Sequence, residues 1–380
     1  MRNSSGQLSA PLPLPDQRPR FAHLSGVRWG LLAAALALTV LGLATVHSAS
    51  AETGADFVKR QLVWVGVGLV AMVVAFSFNY HTLLSYSLPL YLTSLAALAL
   101  VLFLGHEAGG AQGWFRIGSI GIQPSEFAKL VTALYLTRYL AAPSGRELPL
   151  RQILAATAIV GAPMVLIVLE PDLGGAAMFV PMAAGILLVA GVRARLLLAT
   201  AIVGLVLGLL VWNVGMQTYQ RQRVLTFLAP DTDPLGAGYQ VRQSKIAVGS
   251  GELTGRGYGQ GTQSQLRFLP ARHTDFVLAV LAEEWGFVGV ATVLGLYALY
   301  LWNVAAVAMR SRDRAGILLV VGLGSVVAFH VLYNSAMVIG LVPVTGIPLP
   351  FLSYGGSFTL INFVSLGLIL GVDFRRFVNR

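Results

Sequence analysis

The sequence predicts an all-α polytopic membrane protein of about ten transmembrane helices, with a large extracytoplasmic loop between spans 7 and 8. Three observations carry that prediction. The 380 residues are 56% hydrophobic and only 11% charged, with a mean hydropathy of +0.73, whereas soluble domains hold about 25% charged residues. Apolar stretches long enough to cross a bilayer core recur along the chain. Arginine and lysine concentrate in alternate connecting segments, the signature of a multi-pass topology. The chain has no cysteine, which excludes disulfides, thiolate metal sites and cysteine nucleophiles.

Taken in order, residues 1–25 are polar and proline-rich, with Arg2, Arg18 and Arg20 among Pro11, Pro13, Pro15 and Pro19. Such a stretch lacks the apolar side chains to fold alone and is read as a disordered cytoplasmic tail. Residues 26–380 form a single ten-span membrane domain. Its spans are expected at about 29–46, 61–79, 83–104, 124–142, 151–169, 173–191, 196–216, 277–308, 315–340 and 353–372. The first is long enough to span and has further spans behind it, which separates it from a signal peptide. An even number of spans puts both termini on one side. With the N-terminus inside, the cytoplasmic connections hold Arg138, Arg146, Arg151, Arg193, Arg195, Arg310, Arg312 and Arg314, while the short outer loops hold only Lys59, Arg60 and Arg116. Both termini are therefore cytoplasmic. The formal charge of +10 is mostly topological, and nucleic acid is not expected as a partner.

The long outer loop, about 217–276, has seven basic residues against three acidic ones over 217–273. Long loops do not obey the positive-inside rule, so this excess points to an anionic partner at the outer membrane face. The loop closes on Phe268-Leu-Pro-Ala-Arg-His-Thr-Asp-Phe276, which places Asp275 at the threshold of the eighth span. An ionisable group at a membrane boundary is a functional candidate. The competing role for Asp275 is N-cap of that span. His273 is read as structural. On a helix, Glu283 would sit roughly 80° round from Asp275 and Glu284 opposite it, so Glu283 is the one able to share a site. The glycines at 249, 251, 255, 257, 259 and 261 match no nucleotide fingerprint and read as a permissive surface loop.

Within the spans, Glu126 and Lys129 lie three apart on one helix face after Pro124, a spacing that allows an ion pair, a substrate-facing role, or both. Glu170-Pro-Asp-Leu-Gly-Gly175 is a doubly acidic turn in which Asp172 can cap the next helix or contact a cation or substrate. Tyr219-Gln-Arg-Gln-Arg223 follows the seventh span, where arginine either binds membrane lipid headgroups or recognises a diphosphate. Residues 340–356 carry no charge but many prolines and glycines. They read as a re-entrant or tucked loop lining an outer vestibule, since irregular backbone survives at membrane depth only inside protein or a cavity.

Together these motifs resemble the shape, elongation, division and sporulation (SEDS) family of bacterial membrane proteins. The stretches that carry the resemblance are Gln123-Pro-Ser-Glu-Phe-Ala-Lys129, Pro171-Asp-Leu-Gly174, Asp233-Pro-Leu-Gly-Ala-Gly-Tyr-Gln240, Gln243-Ser-Lys-Ile-Ala247, Gly261-Thr-Gln-Ser-Gln265, His273-Thr-Asp-Phe276 and Ser353-Tyr-Gly-Gly-Ser357. Residues 268–275 and 343–351 look like the RodA-like elongation branch rather than the division branch. The resemblance implies a peptidoglycan glycosyltransferase of the bacterial cytoplasmic membrane, polymerising lipid II for cell-wall elongation and rod shape. It also implies a class B penicillin-binding protein and the elongation complex as partners. Asp275 takes the position of the family's essential aspartate. Gln220, Arg223 and Thr262 align with polar positions of the loop around the site, and Glu126, Lys129 and Asp172 with intramembrane polar positions; these six are expected to bind substrate. The chain departs from the family in having Gly113 before Trp114, where an arginine is usual, with Arg116 three residues on.

The implied substrate has an α-linked diphosphate and the polymer a β-linkage, so transfer inverts the anomeric carbon and requires a general base on the acceptor hydroxyl. Asp275 is the candidate. The leaving diphosphate needs charge stabilisation, which arginine, lysine or a divalent cation would supply; the sequence leaves the metal undetermined. Two other readings use the same residues: a flippase that moves the lipid without making bonds, and a scaffold that only positions the transpeptidase.

Overall fold

The computed structural model describes residues 27–50, 56–108, 111–118, 120–142, 148–193, 195–196, 225–227 and 236–376. The expected tail, the expected seventh span beyond residue 196, and Gln220 and Arg223 lie outside the described residues. The helices are α1 (Trp29–Ser50), α2 (Phe57–Ser77), α3 (Tyr80–Ser85), α4 (Ser87–Leu104), α5 (Pro124–Ala141), α6 (Leu150–Leu169), α7 (Leu173–Ala177), α8 (Phe179–Ala190), α9 (Ala237–Ser250), α10 (Thr262–Gln265), α11 (Val277–Arg310), α12 (Arg314–Val338) and α13 (Gly356–Arg375). Among the described residues eight helical stretches are long and apolar enough to cross a membrane, with Leu173–Ala190 counted as one. Helix α5 is long enough as well, but carries Glu126, Lys129 and Arg138.

Burial sorts the helices into centre and rim. Along α13, 83% of the apolar window is buried, against 22% in α4, so α13 is central and α4 faces lipid. On α2 the exposed residues Val63, Val67, Val70 and Val74 follow a spacing of four, three and four, one helical stripe turned outward. The opposite face of α2 packs on α13, where a Cβ at Gly367 would collide with the Met72 carbonyl oxygen. Small residues at such crossings let helix backbones approach closely in a membrane, where no hydrophobic effect drives helices together.

The structure departs from the expected arrangement in three spans and one connection. The third is broken at Tyr86 into α3 and α4, and the sixth at Met178 into α7 and α8. The outer connection 105–123 holds a three-stranded antiparallel sheet of β1 (His106–Ala108), β2 (Ala111–Ile117) and β3 (Ile120–Ile122). Strands this short give too few alternations to be read from the sequence. The eighth span, α11, is interrupted at Gly286 (φ 64°, ψ −161°).

That interruption is filled by the glycine-rich loop. Phe287 and Val288 donate their backbone N–H groups to the carbonyls of Glu252 and Leu253, at 2.9 and 3.1 Å. In return Arg256 and Gly257 donate to the carbonyls of Glu283 and Glu284, each at 3.0 Å. The break in α11 thus leaves its peptide groups paired, which apolar surroundings require. The approach is close enough that a Cβ at Gly251 would strike the Ala282 carbonyl and one at Gly255 the Glu284 carbonyl. These glycines are therefore required by packing, a correction to the permissive loop expected from sequence. Gly249, by contrast, faces open space. Gly251→Ala is expected to destabilise the protein by about 1–3 kcal/mol through overpacking. Gly249→Ala in the same helix-to-loop segment should be neutral or stabilising by up to about 1 kcal/mol. Thermal unfolding of the two detergent-solubilised variants measures the contrast.

Candidate active site

The candidate site forms around the uncharged loop between α12 and α13. Pro343, Pro348 and Pro350 have no N–H to donate, and Gly340 and Gly346 take positive φ of 72° and 73°, so this segment cannot close its own ladder of hydrogen bonds. Side chains from the flanking helices take its carbonyls. Tyr333 Oη donates to the Pro343 carbonyl at 3.0 Å, Asn334 Nδ2 to Ile347 at 2.7 Å, and Tyr297 Oη to Pro350 at 2.6 Å. His330 Nδ1 lies 2.8 Å from the Pro348 carbonyl; a carbonyl only accepts, so Nδ1 carries the proton. Four side chains on α11 and α12 thereby clasp the loop, which tucks against them with Val344, Ile347 and residues 349–353 buried.

The loop in turn holds the segment that ends in Asp275. Ser353 Oγ donates to the Thr274 carbonyl at 2.6 Å while accepting from Leu349 N at 2.9 Å. Tyr354 N donates to the His273 carbonyl at 2.9 Å. Asn334 Nδ2, already on Ile347, also donates to the Asp275 carbonyl at 2.7 Å. The His273 ring packs between Phe57 and Tyr354, at centroid distances of 4.5 and 5.7 Å. Burial and then the neighbouring Arg272 lower its pKa, so it is neutral, in keeping with a structural role. Arg272 is itself buried and donates to the Ser264 carbonyl.

Asp275 is half-buried. The N-cap residue of α11 is Phe276, with no side-chain capping bond, so Asp275 is not the cap of that helix. Its Oδ2 faces Gly346, where a Cβ would come to 3.6 Å. The same turn of the loop meets α7 from elsewhere, because a Cβ at Gly174 would come within 2.5 Å of the Thr345 carbonyl. Asp172 caps α7, accepting from Gly175 N at 2.8 Å and from Gln123 Nε2 at 3.2 Å. Glu126 and Lys129 form a buried ion pair at 2.8 Å, with the ammonium 5.9 Å from the centre of the Phe358 ring. A cavity of about 30 Å³, lined in part by Glu126, Lys129, His330 and Asn362, adjoins the pair and has room for about one water. Asp275, Asp172 and the Glu126–Lys129 pair therefore all border the segment 340–358.

Thr262 sits one step further out. It starts α10, donates to Glu283 Oε1 at 3.2 Å and accepts from Arg256 Nη1 at 3.4 Å. Glu283 is fully buried and also accepts from the backbone N–H groups of Gln263 and Ser264, at 2.8 and 3.1 Å. Its carboxylate thus caps the short helix α10. Glu284 bonds Ser48 on α1. Among the described residues no group of three or more His, Asp or Glu side chains is arranged to hold a metal ion.

Sequence reasoning missed Asn334 and Tyr297 and gave Ser353 only as part of a motif; all three are neutral residues whose value lies in which carbonyl they reach. It also passed over Glu170 in the α6–α7 turn. Glu170 is fully buried and, among the described residues, neither carboxyl oxygen has a hydrogen-bond partner. Burial, then the nearby Asp172, pushes its pKa up to about 8, so it is protonated at neutral pH. Gly113 abuts it, since a Cβ there would lie 2.9 Å from Glu170 Oε2. Arg116 does not stand in for a side chain at 113. Three residues along a strand it points to the other face, and it is exposed.

The model of the cell cycle protein family FtsW/RodA/SpoVE matches residues 28–376. The chain is 37% identical over 346 residues to the peptidoglycan glycosyltransferase MrdB of Escherichia coli strain K12, covering 90% of this chain and 92% of that protein. Among solved structures it is similar to a chain described under structural coordination of polymerization and crosslinking by a peptidoglycan synthase complex. There the TM-score is 0.79, with 33% identity and coverage of 92% and 98%. It is also similar to the Rod shape determining protein RodA of Thermus thermophilus, with a TM-score of 0.70, 32% identity and coverage of 92% and 97%.

Glu170 gives the site a measurable pH signature. Its folded-state pKa of about 8 lies above the ordinary 4.5, so the folded chain binds the proton more tightly than the unfolded one. The stability that this proton confers is present below about pH 4.5 and is lost as pH rises to about 8. Glu170→Gln, which stays neutral, is expected to flatten the fall in melting temperature between pH 5 and 8. An unchanged pH profile would show that Glu170 ionises at its ordinary pKa.

Proposed function

The chain belongs to the FtsW/RodA/SpoVE family of cell cycle proteins, and from that premise we propose that it is a peptidoglycan glycosyltransferase serving cell-wall elongation, with Asp275 as the general base of an inverting transfer. The substrate is lipid II, the undecaprenyl-diphosphate-linked disaccharide-peptide. The observation that carries the assignment is the placement of Asp275. It is a partly buried residue whose backbone is held by Asn334 and whose two preceding residues are held by Ser353 and Tyr354.

Asp275 takes the proton from the acceptor's sugar 4-hydroxyl as that oxygen attacks the anomeric carbon of the donor. The carbon–diphosphate bond breaks on the opposite face. A diphosphate leaves without a proton donor, so one carboxylate is chemically sufficient. What the leaving group needs is positive charge, which Arg223 and the other basic residues of the outer loop supply, with Gln220 as a neutral donor and Thr262 lining the site. Rigid placement matters because general-base catalysis requires the carboxylate within hydrogen-bond reach of the hydroxyl. Glu126, Lys129 and Asp172 hold the membrane-embedded side of the site.

The protein is multi-pass, and the distribution of arginine supports cytoplasmic termini and an outward-facing Asp275 in the cytoplasmic membrane. Its partner is a class B penicillin-binding protein within the elongation complex, a reading supported by the similarity to a chain of a peptidoglycan synthase complex.

The test is glycan-chain synthesis from purified lipid II by the complex with a transpeptidase-inactive partner that has no glycosyltransferase domain. Asp275→Asn keeps the shape and loses the basicity, so it is expected to lower the rate by about 10²-fold or more, and Asp275→Ala likewise. Undiminished polymer from a folded, partner-bound Asp275→Asn would remove Asp275 as the base. Absence of polymer from the intact wild-type complex, where a control polymerase works, would favour lipid transport without bond formation.

A further inference from the structure

The start of α1, the α11–α12 connection and the end of α13 meet at one end of the bundle. Arg28 N donates to Asp373 Oδ2 at 2.8 Å, and its guanidinium reaches Asn303 Oδ1 at 3.4 Å. Arg376 lies 3.3 Å from the other oxygen of Asp373. Gly316, in the first turn of α12, packs so close to α13 that a Cβ there would lie 2.9 Å from Val372. The Arg310–Arg312 connection is thereby set beside the last turn of α13. Burial, and then repulsion from Arg310, Arg28 and Arg312, lowers the pKa of Arg376 against the opposing pull of Asp373.

The two acids at this end do not neutralise the cluster. Asp373 is 1% exposed and engaged as described. Asp313 accepts from Gly316 N at 3.2 Å and Tyr80 Oη at 2.5 Å, and stands 3.5 Å from His81. Arg310 and Arg312 are exposed, and among the described residues neither has an ion pair or hydrogen bond with an acid. Like charges crowded together destabilise the fold unless an anion lies among them. The chain's own N-terminal stretch does not supply it, since residues 1–26 hold Arg2, Arg18 and Arg20 against Asp16 alone.

The surroundings place the cluster at headgroup level. Trp29 is 46% exposed and Met309 78% exposed beside it, and tryptophan gathers at membrane–water interfaces. Guanidinium forks match phosphate oxygens, and basic clusters at the ends of membrane helices recruit anionic lipid. We propose that Arg310, Arg312, Arg28 and Arg376 form a binding site for the phosphate headgroup of an anionic phospholipid. Under the topology above this is the cytoplasmic leaflet, and the site stands apart from the catalytic reading.

The test uses the full-length chain in detergent, titrated with phosphatidylglycerol or phosphatidylcholine, with bound lipid counted by native mass spectrometry. Wild type is expected to prefer phosphatidylglycerol. The double variant Arg310→Gln, Arg312→Gln should bind it roughly thirtyfold more weakly, the effect of removing two arginines at an anionic surface. Arg151→Gln, an exposed arginine on α6 outside the cluster, should bind as wild type does. In phosphatidylcholine alone the double variant should melt no lower than wild type, because repulsion is relieved. Equal loss in Arg151→Gln, no preference in wild type, or a lower melting temperature for the double variant would each overturn the site. Displacement of the lipid by equimolar inorganic phosphate would replace it with a free-anion site.

Discussion

The constraint on which the rest of this structure depends is the need to pair the carbonyls of a proline-rich segment that lies inside a membrane protein. Wherever such a segment is buried, each unpaired peptide group costs several kcal/mol. Residues 340–355 cannot form a helix and cannot pair with a strand. Tyr297, His330, Tyr333 and Asn334 supply the donors instead. Three of the four lie within one turn of α12, so the loop's position is fixed by the rotation of that single helix. Once fixed, it becomes a rigid surface against which Asp275, α7 and Phe358 are placed.

A second irregular segment solves the same problem on the opposite side of Asp275 in the chain. Gly286 breaks α11, and the backbone of 252–257 supplies the missing partners. Glu283 then ties that loop to α10, and Arg272 ties α10 back to the segment preceding Asp275. Asp275 therefore lies in a stretch held at both ends by paired irregular backbone. A loop free to move would place a carboxylate only part of the time within reach of an acceptor hydroxyl. This arrangement lowers that cost before any substrate arrives.

Much of this was legible in the sequence, and the limits have physical causes. Eight of the expected spans followed from hydropathy because lipid imposes the same apolar length on each of them. The Glu126–Lys129 pair and the Asp172 cap followed from local spacing, and both are geometric facts of a single helix turn. What escaped was non-local. Asn334 bridges residues 275 and 347, and no periodicity reveals a side chain that serves two distant carbonyls. The glycines at 251 and 255 read as permissive because their necessity lies in Ala282 and Glu284, some thirty residues on. Helical angle put Glu283 on the side of α11 nearer Asp275 but said nothing of its partners, which are backbone groups of α10.

The acids of the chain show why exposure, rather than acidity alone, singles out a candidate base. Glu126 is neutralised by Lys129, Glu283 caps α10, Asp172 caps α7 and Glu170 is buried and protonated. Each is held by, or adapted to, the fold, and removing it would test stability before chemistry. Asp275 differs in being only partly buried, on a main chain fixed by Asn334, Ser353 and Tyr354. A group that must meet a substrate hydroxyl requires that combination, a fixed main chain beneath an accessible carboxylate. An isosteric change at Asp275 should therefore leave folding intact and act on turnover, whereas the same change at Glu283 should act on folding first.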